Sequence, residues 1–202
     1  MNKLMKRLTG AAMALTMAFC AAVGTPLAVK LTGYRVPALT AYAATIPIAS
    51  VPSDMSLLYQ AHVQDYGWMD CVNAGEIAGT TGQSRRLEAL SIYTLNIRYN
   101  GTFADNGAVC GWKTDGAYIG SVGQSRALQS IALQFRYNFY TTYYDLYYRV
   151  HIAGKGWLGW SKNGGAAGNS YGARIEAVQI KIIRKDHYSN LEPTTGGFLS
   201  HP

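Results

Sequence analysis

The feature that most limits what this chain can fold into is that it repeats itself. A shift of 89 residues lays His62, Gly67, Trp68, Gly75, Ala78 and Gly79 onto His151, Gly156, Trp157, Gly164, Ala167 and Gly168 without a gap. A shift of 41 lays Gly75, Gly79, Gly82, Gln83, Ser84, Arg85 and Leu87 onto Gly116, Gly120, Gly123, Gln124, Ser125, Arg126 and Leu128. Agreement at two shifts marks three internal units, at about 57–96, 97–137 and 146–185, and a fixed period of this size is the signature of a repeat architecture.

Within each unit the signals are for strands and turns. The closing segment alternates with period two: Leu90/Ile92, Ile131/Leu133/Phe135 and Val178/Ile180/Ile182 face one way, while Ser91/Tyr93, Ala132/Gln134 and Gln179/Lys181 face the other. That pattern belongs to a sheet with one buried face. The Gly-rich stretch ahead of it, Ala78-Gly79-Thr80-Thr81-Gly82-Gln83-Ser84, cannot hold a helix, because glycine there is strongly unfavourable. Each unit has room for about four short strands and must pack on its neighbours to bury an apolar face. The expected fold is therefore all-β, with three repeats in one pseudo-threefold domain. It is β-prism-like with one small sheet per repeat, and a β-trefoil is the alternative.

The residues at the start and end of each unit also carry a family likeness. Gly67-Trp68 followed by Gly79-Thr80-Thr81-Gly82-Gln83-Ser84-Arg85-Arg86-Leu87-Glu88-Ala89 resembles the ChW repeat, named for clostridial hydrophobic proteins with a characteristic tryptophan. The third unit matches through Gly156-Trp157-Leu158-Gly159-Trp160 and Arg174-Ile175-Glu176-Ala177, with one residue missing at Tyr171-Gly172-Ala173. The middle unit keeps Trp112 at the second tryptophan position but has Ala108-Val109 where Gly-Trp would continue, and in the first unit Cys71 replaces that second tryptophan. The resemblance covers about residues 57–184. It implies three ChW repeats in an exported or surface protein of a Gram-positive organism, acting as a module that binds macromolecules, and it supplies no ligand.

Export is also legible directly. Lys3, Lys6 and Arg7 precede an apolar run from Leu8 to about Val23, and Ala41-x-Ala43 suits signal peptidase. The expectation is a signal peptide at 1–43, with cleavage near Ala22 or Gly24 and an uncleaved anchor as the alternatives, then a short linker at 44–56, the repeats at 57–186 and a polar C-terminal tail at 187–202. Five of the 18 Lys+Arg lie before residue 44 and all 11 Asp+Glu after it, leaving 13 against 11 in the exported chain, a net +2. The basic balance thus belongs to the leader and argues for neither nucleic acid nor an acidic membrane surface. Once the signal is removed no membrane contact is expected. Two cysteines remain, and a Cys71–Cys110 disulfide is the candidate pairing in an oxidising compartment.

The binding candidates are aromatic. Trp68, Trp112, Trp157 and Trp160 can stack on the C–H face of a sugar ring or fill the core of their units. The segment Tyr137–Tyr148 holds six tyrosines between the second and third units, with Tyr140, Tyr143 and Tyr144 the nominated contacts; the competing role is to brace a sheet edge. His62 and His151 are repeat-equivalent, which suits a hydrogen-bonded structural position. Glu88 and Glu176 occupy equivalent places entering the last strand, to be held by Arg85 or Arg174 or to hold the turn. No spacing brings two carboxylates across one cleft as a glycosidase requires, no cysteine has an indicated activating histidine, and no cluster has metal-ligand spacing. The expected protein is secreted or non-covalently wall-associated and needs no cofactor. It is non-catalytic and recognises a polysaccharide, a cell-wall polymer or a surface protein. An extracellular carbohydrate-active hydrolase and a structural surface-layer component are the alternatives.

Overall fold

A computed structural model of the chain describes residues 55–186 and 194–202. The expected signal peptide at 1–43 and nearly all of the linker at 44–56 lie outside the described residues.

The alternating segments are strands, as their pattern requires, and they form three sheets. The first sheet is built on β1 (Leu58–Val63), antiparallel to β5 (Leu87–Tyr93), with the short β2 (Gly67–Trp68) and β3 (Val72–Asn73) folding back on β1. The middle sheet pairs β6 (Ile97–Phe103) with β8 (Leu128–Phe135). In the third, β9 (Tyr144–Ile152) pairs with β13 (Ile175–Arg184), and β10 (Gly156–Trp157) and β11 (Ser161–Lys162) return on β9. Each unit makes the same long hairpin. Each hairpin carries a bulge at the same place, where Glu88, Gln129 or Glu176 is skipped in the register.

No unit keeps its fourth strand. Strand β4 (Ile77–Gly79) of the first unit pairs with β13 of the third; β7 (Ile119–Gly120) of the second pairs with β5 of the first; β12 (Ala167–Asn169) of the third pairs with β8 of the second. The exchange runs once around the pseudo-threefold axis, so every sheet is completed by a neighbour. Three sheets with no closed barrel among the described residues make the architecture prism-like rather than trefoil-like.

Glycine makes the exchange possible. At Gly79, Gly120 and Gly168, φ is +103°, +94° and +130°. A Cβ on these residues would lie 2.5, 2.2 and 2.2 Å from the carbonyl oxygens of Glu176, Glu88 and Gln129, the bulged residues of the receiving strands. Only a residue without a Cβ tolerates both that conformation and that approach. The next amide then bonds to the same carbonyl: Thr80 N donates to Glu176 O at 3.0 Å and Ser121 N to Glu88 O at 2.9 Å.

The inward faces form one core. Leu90, Ile92, Ile131, Leu133, Phe135, Val178 and Ile180 are all buried in it, as their alternation predicts, and Ile182 packs on its margin. Three fully buried tyrosines tie the sheets together across the axis. Tyr59 of the first unit accepts from Ile180 N of the third at 3.0 Å and donates to Glu76 O. Tyr99 of the second accepts from Ile92 N of the first at 3.1 Å and donates to Ala117 O at 2.6 Å. Tyr148 of the third meets the backbone of Leu133 in the second, accepts from Gly164 N and donates to Gly165 O. These bonds follow the same cyclic order as the strand exchange and satisfy phenols that burial would otherwise penalise.

The C-terminal segment departs from expectation. It is polar as read, yet β14 (Phe198–Leu199) lies parallel to β12 as the outer strand of the middle sheet, and Leu199 packs against the core. The tyrosine-rich stretch also departs from a pure strand reading. It opens with a short helix, α1 (Asn138–Tyr143), before entering β9.

Two predictions follow from this packing. Gly120→Ala should cost about 3–5 kcal/mol, the sum of a strained φ and a forced backbone shift, whereas Gly82→Ala, at φ +71° but with open space around it, should cost only the φ strain of about 1–2 kcal/mol; denaturant titration separates them. Burial pushes Tyr59 and Tyr148 up to about 12 from the ordinary 10. Between those pH values the unfolded chain has lost protons that the folded one keeps. Stability should therefore be level below pH 10, fall through the window by roughly 2–3 kcal/mol per tyrosine and level off above 12. Denaturant titrations across that range, with Tyr59→Phe giving a shallower fall, check it.

Candidate functional site

The outward face of the first sheet carries the most exposed aromatic surface that any sheet presents among the described residues. Alternation along β5 puts Ala89, Ser91 and Tyr93 on this face, and the exchanged β7 adds Tyr118, just before it, and Gly120. The short return strand β2 adds Trp68. The three rings are 38%, 43% and 46% exposed for Trp68, Tyr93 and Tyr118, while Ala89 and Ser91 beneath them are buried. Trp68 and Tyr118 meet edge-on with centroids 5.8 Å apart. Tyr93 rests against Gly116, where any Cβ would come within 2.9 Å of its ring, and its hydroxyl accepts from the Gln60 side-chain amide. Three partly exposed rings over a floor of small residues, with phenol and amide groups at the rim, make a surface suited to a flat ligand with apolar faces and polar edges.

Trp68 is held from behind. Its ring meets His62 edge-on at 5.4 Å, and His62 Nδ1 lies 3.0 Å from Glu88 Oε2. Glu88 is itself buried and takes Arg86 Nε on its other oxygen at 2.7 Å. The third unit repeats the chain: Trp157 on His151 at 5.5 Å, His151 Nδ1 3.2 Å from Glu176 Oε2, and Arg174 on Oε1 at 3.0 Å. The equivalent histidines thus back the tryptophan and lie within ion-pair distance of the bulged glutamate, but the hydrogen bond expected of them is not made, as both Nδ1 atoms are buried without a hydrogen-bond partner. The arginine on Glu88 is Arg86; Arg85 pairs instead with Asp65 and stacks on Tyr66. With both oxygens engaged and little water access, neither glutamate faces the aromatic surface.

The other tryptophans differ in environment. Trp160 is buried at 6% exposure with Tyr147 and Ile183, capped by Arg149 and Lys181, so it packs rather than presents a face. Trp157 is half-buried beneath Arg149. Trp112, the counterpart of Trp160 in the middle unit, is 44% exposed with Arg98 over its ring at 5.0 Å. Of the tyrosines, Tyr144 is buried, and Tyr140 and Tyr143 pack on the core margin. Phe139 lies over them, with centroids 5.7 and 5.2 Å away, and is itself exposed, as is Tyr137. This cluster mainly closes the end of the core. Cys71 and Cys110 are free thiols in the structure, so the candidate disulfide is not formed. Cys71 is exposed beside Gln60, while Cys110 turns inward against the core, where burial raises its pKa. No group of three His, Cys, Asp or Glu residues that could hold a metal ion occurs among the described residues.

Tyr93, Tyr118 and Gln60 were missed by sequence reasoning. Tyr118 belongs to the second unit and reaches Trp68 only through the strand exchange, which no repeat alignment displays. At the equivalent positions stand Ile77 and Ala166, so symmetry gives no signal either.

The family model of the Clostridial hydrophobic W repeat, ChW, matches residues 62–96 and 151–184. The middle unit lies outside the match, which narrows three expected ChW repeats to two. Thr102 and Val109 stand there in place of the paired histidine and tryptophan, although its strands follow the same plan. Neither the curated proteins nor the solved structures give a match. Among the described residues no helix is long and apolar enough to cross a membrane, and the family points to the cell exterior. The chain is a ChW repeat protein, with its two matched repeats flanking a divergent middle unit of the same strand pattern.

Proposed function

We propose that this is a secreted or cell-surface, non-catalytic module that binds a polysaccharide or cell-wall polymer on the outward face of its first sheet. The observation that carries the reading is the arrangement of Trp68, Tyr118 and Tyr93 as exposed rings over the buried floor of Ala89 and Ser91. A pyranose chain offers alternating C–H faces and hydroxyl edges, which complement aromatic rings and the Gln60–Tyr93 rim. The neighbouring carboxylates support binding over hydrolysis. Glu88 is buried behind His62 and held by Arg86, and Asp115 pairs with Arg136, so no pair of free carboxylates faces one sugar across this surface.

The test is retention of the purified protein on insoluble polysaccharides and on purified cell wall. Trp68→Ala and Tyr118→Ala, checked for folding by circular dichroism, should each weaken retention about tenfold, near the upper end for one aromatic contact. Tyr143→Ala should bind as the parent does. Loss of retention in Tyr143→Ala with Trp68→Ala unaffected would move the site to the aromatic cluster around α1.

A further inference from the structure

The pseudo-threefold symmetry leaves one position filled in one sheet and open in another. In the middle sheet, residues 195–199 lie in a groove between β12 and the turn at Gly159–Ser161. Gly168 N donates to Gly197 O at 2.9 Å, Ser170 N to Leu199 O at 3.1 Å and Gly159 N to Gly196 O at 3.0 Å. The segment lies so close that a Cβ on Gly159 would fall 1.8 Å from Thr195 O, and one on Gly197 would fall 3.0 Å from Trp160 O.

The first sheet has the same groove along β7, the strand equivalent to β12. Gly111 and Trp112 stand where Gly159 and Trp160 stand in the third unit. Gly111 sits at φ +79°, which itself favours glycine, and a Cβ there would meet nothing within 4 Å, so the space that Thr195 fills beside Gly159 is open here. The groove is a cleft of about 490 Å³ lined by Val109, Cys110, Lys113, Tyr118 and Gly120 among others. It is deepened because Cys110 occupies the place of Met69 and Leu158, larger residues that pack on or in the core. The Gly120 amide, counterpart of the Gly168 amide that donates to Gly197 O, is met here by the Cys110 sulfur. Of its lining residues, Val109 and Tyr118 are exposed, and Val122, just past β7, is exposed as well. In the remaining sheet, beside β4, Asp70 replaces the glycine of the turn, so the full set of features recurs only along β7.

We propose that the outer edge of β7 is a peptide-binding groove that takes an extended partner segment of Gly-Gly-aromatic-aliphatic type as an added parallel strand, as β12 takes Gly197–Leu199. The Val122 amide supplies one ladder donor, and the Gly120 amide becomes the other when the incoming carbonyl displaces the Cys110 sulfur. Gly111 admits the close backbone, and the exposed rim covers the apolar side chains, which is the general logic of strand addition to a sheet edge. The inference does not rest on glycan binding.

Cys110 provides the readout. The full-length protein is treated with a maleimide at mildly alkaline pH, with and without a synthetic peptide of residues 194–202, and modification is read by peptide mapping. The peptide should slow labelling of Cys110 several-fold and leave Cys71, in the first unit, unchanged. A peptide carrying Gly197→Val should give no protection, because its added bulk meets the turn carbonyl. Equal labelling of Cys110 with and without saturating peptide would overturn the proposal, as would equal protection by the Gly197→Val peptide.

Discussion

The contact on which the rest of this structure depends is a backbone against a backbone. At Gly79, Gly120 and Gly168 a strand of one unit is laid on the bulged carbonyl of its neighbour, closer than any side chain allows. A hairpin of one unit alone would expose an unpaired edge and half an apolar face. The exchanged strand covers the edge, and the three inner faces then share one core. The buried tyrosines add a second ring of contacts in the same cyclic order, joining each sheet to the next through hydroxyls that have no water to bond. Removing any one exchange should loosen all three sheets.

The same exchange creates the surface proposed for binding. Trp68 and Tyr93 belong to the first unit and Tyr118 to the second, and they meet because β7 crosses over. The symmetry of the scaffold is therefore not the symmetry of its surfaces. At equivalent places Trp157 lies under Arg149, Trp160 is buried, and the middle unit has no first tryptophan. One framework carries three different outer faces, and the first is the one on which three exposed rings come together. A recurring residue such as His62/His151 or Glu88/Glu176 serves the framework, while the unrepeated Tyr93, Tyr118 and Gln60 shape the face.

Much of the framework was legible because periodicity reports burial directly. The alternation at Leu90/Ile92, Ile131/Leu133 and Val178/Ile180 marked the core faces, and the recurring glycines marked the turns and crossings. Their partners were not legible, since a glycine announces a close approach without saying to what. The repeated Tyr59, Tyr99 and Tyr148 escaped notice because a one-residue slip in the middle unit hides the correspondence at the shift of 41. The tail at 194–202 reads as polar and loose because its attachment is by backbone amides and two apolar residues, too few to make a pattern. Trp160 and Trp112 share a repeat position yet differ in burial, since Tyr147 and Lys181 surround one and the middle sheet offers the other only Arg98.

The central claim is that strand exchange makes the three units one cooperative body. Native-state hydrogen exchange tests it most directly, at the amides of Thr80, Ser121, Ile92 and Ile180, which donate across unit boundaries. If the account is right, all four exchange only through global unfolding, with one shared free energy equal to that from denaturant titration. If Thr80 and Ile180 open at a free energy well below that of Ser121 and Ile92, the units unfold separately and the account is wrong.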